Sequence, residues 1–152
     1  MIRLPAFIWL LFSSLHIWAQ QSQVNSEAGL ALEGYDPVSY FQEGPVEGYP
    51  EITAEYGKVN YRFASRENRE AFVKDPERYL PQYGGWCAYA MGLDGQRVEV
   101  DPETYKIKDG RLYLFFNAFL NNTLKKWNAR EGELLPMADK NWNSQIKHSQ
   151  NE

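Results

Sequence analysis

Ile52-Thr53-Ala54-Glu55-Tyr56-Gly57-Lys58-Val59-Asn60-Tyr61-Arg62-Phe63 decides the fold class, because two alternating runs flank a two-residue turn in the pattern of a β-hairpin. In the second run Val59, Tyr61 and Phe63 fall on one face while Asn60 and Arg62 fall on the other. One face therefore packs and one is wet. Glycine at the first turn position predicts a type II′ turn. A second hairpin is read at 104–108 and 111–116 around Asp109-Gly110, a pair that favours the type I′ turn.

Helical signals surround the two hairpins. Asp36-Pro37 is a helix start, with Asp36 able to cap and Pro37 suited to the first helical position, and it predicts a short helix that stops before Gly44-Pro45. Ser65 caps a helix over 66–74, Asp75-Pro76 breaks it, and Asp75 caps a second short helix over 77–80. Gly84-Gly85 permits positive φ or a close backbone approach, and a helical turn over 86–91 follows. Asn117 is expected to cap a helix carrying Phe119, Leu120, Leu124 and Trp127, and a last helix around 134–146 includes Trp142. The predicted class is α+β: a small antiparallel sheet of two hairpins covered by short helices.

The first 19 residues place Arg3 ahead of an apolar run that ends near Trp18-Ala19, the layout of a secretory signal peptide. That run is shorter than the ~20 residues a membrane-spanning helix needs, so no stable span is expected after cleavage. The chain is accordingly read as periplasmic or secreted. Residues 20–28 are polar and aperiodic, a flexible lead; 29–146 form the domain, and 147–152 a polar tail. Sixteen basic residues against 20 acidic ones give a net charge of −4, which offers no electrostatic footprint for nucleic acid.

Chemistry is thinly represented. Of the two histidines, His16 lies in the leader and His148 in the tail, which removes the usual general base, zinc ligand and Ser-His or Cys-His pair from the domain. No catalytic constellation is recognisable. Cys87 is the single cysteine and cannot form an internal disulfide. It has three readings: core packing, a disulfide to a partner or a second copy, or a redox thiol or soft-metal ligand. On the functional reading Gly84, Gly85, Trp86 and Tyr89 form the pocket around it, and the proton acceptor is the solvent, a carboxylate, or a tyrosine such as Tyr83 or Tyr89. Met91 lies four residues on, so both sulfurs would share a helix face in a thiolate–thioether pair suited to copper(I), with Met137 as a third sulfur if its loop folds back. Met91 is equally well read as core filler. Glu99, Asp101 and Glu103 alternate around Val100 and Pro102, either as the wet face of a strand or as a hard-cation site.

Asp36-Pro37-Val38, Tyr61-Arg62-Phe63-Ala64-Ser65, Phe72 and Asp75-Pro76-Glu77-Arg78-Tyr79 resemble the YHS domain, a module found beside copper-transporting ATPases and in some multicomponent monooxygenases. The stretch from Gly34 to Trp142 resembles the exported, single-domain branch of that family, which is largely uncharacterised. The family implies metal binding, with copper as one metal, through cysteines that follow Asp-Pro-Val and flank the Phe-x-Ser segment. Ser39, Ala64 and Asn68 occupy those positions here, and Ala64 also stands where the family has its eponymous histidine. That ligand set therefore cannot be carried over. Relatives in the exported branch sometimes carry selenocysteine at the position of Cys87, which implies a soft nucleophile or ligand. The contrasting class of function is a non-catalytic module that binds a small molecule or a protein, with Cys87 as packing.

Overall fold

A computed structural model describes residues 23–150. The signal-peptide reading of residues 1–19 lies outside the described residues. The fold is α+β, and the hairpin at its centre forms as the alternation requires: β3 (Tyr49–Tyr56) pairs antiparallel with β4 (Val59–Phe63). Its turn differs from expectation. Gly57 and Lys58 both have positive φ, 59° and 67°, which makes the turn type I′. The right-handed strand twist favours that turn strongly enough to hold a lysine in the left-handed region, at a cost of about 1–2 kcal/mol.

The described part of the expected flexible lead is docked. β1 (Ser26–Glu27) and β2 (Leu30–Ala31) form a miniature hairpin, and Leu30 pairs in parallel with Asn60, giving a four-stranded sheet in the order β1-β2-β4-β3. With β2 on the outer edge of β4, the second predicted hairpin has no edge to join there. β5 (Asp101–Lys108) and β6 (Arg111–Phe115) pair as foreseen across Asp109-Gly110, but as a separate two-stranded sheet. The two hairpins therefore do not make a single antiparallel sheet.

β6 is the wall between two cores. Leu112 and Leu114 pack with Tyr61, Phe63 and Phe72 in the first, while Tyr113 and Phe115 pack with Tyr83, Met91, Trp127 and Leu134 in the second. Alternate side chains leave a strand on opposite faces, so a strand buried on both reads as the unbroken apolar run seen here. In the first core the Phe72 ring lies 5.0 Å from that of Tyr61 and 5.2 Å from that of Phe63. Phe72 is delivered by α1 (Arg66–Lys74), whose cap is Ser65 as expected, its side chain accepting from the Asn68 N–H.

The C-terminal region departs most from expectation. Asn117 caps no helix: β7 (Asn117–Ala118) and β8 (Asn121–Asn122) make another small hairpin, with Phe119 and Leu120 as its turn at φ 52° and 66°. Both side chains are essentially fully exposed. The helix begins six residues later, capped by Asn122, and runs as α3 (Thr123–Ser149) with one non-helical residue at Arg130. One long broken helix thus replaces two short ones. Its second segment carries Pro136 without ending there. A short helix, α2 (Ala88–Leu93), packs against it. No helix among the described residues is long and apolar enough to cross a membrane.

Candidate functional site

The bend before α2 organises everything around it. Tyr83, Gly84 and Gly85 all take positive φ, at 56°, 62° and 85°. Gly84 is there for a close approach as well: a β-carbon on it would lie 2.0 Å from the Gln23 carbonyl oxygen. That approach lets the N-terminal strap, residues 23–31, dock, with the Asn25 N–H donating to the Gly84 carbonyl at 2.8 Å and the Asn25 amide to the Gly85 carbonyl. Tyr83 turns into the second core, where its hydroxyl donates to Asp139 at 2.8 Å. Burial first, and then that carboxylate, raises its pKa above the ordinary tyrosine value.

On one side of the bend lies Cys87, with no exposed surface. Its N–H donates to the Val98 carbonyl at 2.9 Å, and its carbonyl accepts from the Met91 N–H at 3.0 Å. The sulfur accepts from the Phe116 N–H at 3.4 Å and lies 3.5 Å from the Thr123 hydroxyl oxygen. The Thr123 hydroxyl itself donates to the Phe116 carbonyl at 2.8 Å, so the thiol proton points at Thr123. Each polar group of Cys87 is matched, and the knot ties together the start of α2, the end of β6 and the start of α3. A buried polar group satisfied in this way stabilises, whereas one left unmatched would cost about 1–3 kcal/mol.

The other sequence-derived candidates separate. Met91 is fully buried in the second core and its sulfur accepts from the Gln145 amide at 3.6 Å. Met137, on α3, is 42% exposed and does not share the buried setting of Cys87. Trp86 and Tyr89 do not join Gly84 and Gly85 in lining a cavity. Trp86 is buried with its indole N–H unpartnered among the described residues, and the Tyr89 ring lies beneath the Lys126 ammonium. A sulfur without exposed surface is also out of reach of a partner thiol while the fold is closed. Among the described residues no group of three or more His, Cys, Asp or Glu is placed to hold a metal ion. Asp101 accepts instead from Thr104, from the Glu103 N–H and from Asn117.

The positions matching the family's ligand positions do converge, on Asp36. One oxygen of that fully buried carboxylate accepts from the Val38 N–H; the other accepts from the Ala64 N–H at 2.8 Å and the Asn68 amide at 2.7 Å. The Ser39 hydroxyl donates to the Asp36 carbonyl and accepts from the Val46 N–H. The cluster is closed by its own hydrogen bonds. Asp36 thus does more than cap a turn: it joins the Pro37 turn to the start of α1, a long-range role that no local spacing reveals.

Gly84 and Gly85 of the bend also line a cleft of about 490 Å³ that Cys87 does not reach. Ala31, Leu32 and Tyr61 form its buried floor, Leu30, Leu80, Pro81 and Val100 its walls, and Gly84 and Gly85 close the end beside the strap. Glu27, Glu33 and Glu99 stand at its rim, all exposed. Leu32 and Glu33 both have positive φ, 55° and 52°, and such strain in non-glycine residues gathers at binding sites. Gly84 and Gly85 line this cleft, which does not include Cys87, whereas the sequence reading sets them around the sulfur. No family model, curated protein or solved structure matches this chain.

Proposed function

We propose that this chain is an exported binding module of the YHS type that holds a small molecule in the cleft between strap, sheet and glycine bend, with Cys87 serving as packing. The observation that carries the reading is the contrast in access. A cleft within the usual 300–1,000 Å³ range of ligand pockets is apolar-floored and rimmed by a few polar groups, while the thiol has no surface at all. Support for the family comes from the convergence of Ser39, Ala64 and Asn68 on Asp36, since positions that hold ligands in relatives must meet in space.

Amide chemical shifts recorded on the full chain with n-hexanol as an uncharged probe test the reading. Shifts are expected at Leu30, Leu80, Gly85 and Val100, unchanged in Cys87→Ala and abolished by Leu80→Trp, which fills the cleft. Shifts centred on Cys87, Phe116 and Thr123, or none anywhere, would overturn it. A second reading, a redox or soft-metal thiol at Cys87 with copper(I) as the metal, draws on one feature, the Phe116 N–H aimed at the sulfur. It also requires the buried sulfur to become accessible to a reactant.

A further inference from the structure

The charged side chains among the described residues that line the cleft, Glu27, Glu33 and Glu99, all carry the same sign, beside the neutral polar Asn25 and Ser26. Among the described residues Lys, Arg and His are absent from its lining, and the charges acting on Glu33 are those of Glu99, Asp101 and Glu27. None of these four carboxylates takes part in an ion pair among the described residues. The lysines that do pair, Lys106 and Lys108, are committed to Glu131 on α3. Below the rim the surface is apolar, and the Tyr61 ring contributes an aromatic element to the floor. An occupant with a greasy body alone would leave three like charges facing one another across its mouth, and an anion would add a fourth.

We propose that the cleft takes an organic cation with an apolar body, of the alkylamine class, its hydrocarbon against Leu30, Leu80 and Val100 and its ammonium among Glu27, Glu33 and Glu99. This rests on the reading of the cleft as the binding site and names its ligand class. Charge complementarity makes the choice: the cation removes the mutual repulsion of the rim, which an alcohol leaves and a carboxylate worsens. Because the rim carboxylates are solvent-exposed, each contributes modestly, and the three together are expected to favour amine over alcohol by about tenfold at low salt.

The test compares n-hexylamine, n-hexanol and n-hexanoate by amide-shift titration of the full chain at low and at high NaCl. Expected is the order amine, alcohol, carboxylate, with the amine advantage shrinking in high salt. The double variant Glu33→Gln/Glu99→Gln is expected to bring hexylamine to within about twofold of hexanol, its fold being checked by the dispersion of its amide spectrum. If that variant does not fold, the salt dependence of the unmodified protein decides. Should hexanol fill the cleft while hexylamine binds no tighter, the cation assignment falls and the cleft stands. If none of the three probes moves cleft resonances, both fall.

Discussion

The two sides of the bend at Tyr83, Gly84 and Gly85 are built from the same few residues and have opposite character. Toward α2 the chain is closed: Cys87, Met91 and Ala88 have no exposed surface, and the polar atoms of Cys87 are matched by Val98, Met91, Phe116 and Thr123. Toward the N-terminal strap the same bend borders a cleft whose rim carboxylates form no ion pair among the described residues. The difference teaches that chemical softness and accessibility are separate properties. The most reactive side chain type in the domain sits where nothing reaches it, and the open surface has only apolar groups and charge with which to work.

Alkaline pH should produce the largest effect, because it strikes both sides together. Burial raises the pKa of Tyr83 next to the bend, of Tyr61 under the cleft and of Tyr40 beyond it, each above the ordinary 10.0. A raised folded pKa means that the neutral ring favours the fold, so stability is intact below pH ~10 and falls as pH climbs past the point where unfolded tyrosines ionise. Chemical denaturation at stepped pH should show a flat profile up to about pH 10 and a steep decline above it. A decline that starts near neutrality would contradict the buried tyrosine assignments.

Gly84→Ala separates the sides next. The added carbon collides with the Gln23 carbonyl at 2.0 Å and must adopt φ 62°, so we expect a loss of about 2–4 kcal/mol, with the strap amides of Asn25 and Ser26 losing hydrogen-exchange protection before the α2 amides do. Equal loss on both sides would mean that the bend is one cooperative unit. On the sealed side alone, Thr123→Val strands the thiol proton, and about 1–2 kcal/mol of destabilisation is expected with hexanol binding unchanged. The smallest effect has the opposite sign. Replacing Phe119-Leu120 by Asn-Gly puts the residues a type I′ turn favours at φ 52° and 66°, and should raise stability by roughly 1 kcal/mol in thermal unfolding.

Hairpins around Gly57-Lys58 and Asp109-Gly110 were legible because their alternation is local, although the turn type was legible only at Asp109-Gly110, since Lys58 gives no sign of its positive φ. So was the Ser65 cap, where one side chain and one N–H three residues on settle the matter. Phe119 and Leu120 misled because their spacing to Leu124 and Trp127 is helical, while the backbone at both is left-handed and fully exposed. β1 and β2 are two residues each, too short for periodicity to register. Gly84 and Gly85 announced a close approach without saying what approached. The cleft drew its lining from six separate stretches between Val24 and Val100, and Asp36 found its partners 28 and 32 residues away, so neither could be read from spacing.

The account turns most directly on how fast iodoacetamide alkylates Cys87 in the native protein, followed by mass spectrometry across a denaturant series. Closure around the sulfur predicts that labelling in buffer is slower than in the unfolded chain by several orders of magnitude and that it rises with denaturant along the global unfolding curve. Labelling in buffer at close to the unfolded rate, independent of denaturant, would place the thiol in solvent and return it to the centre of the function.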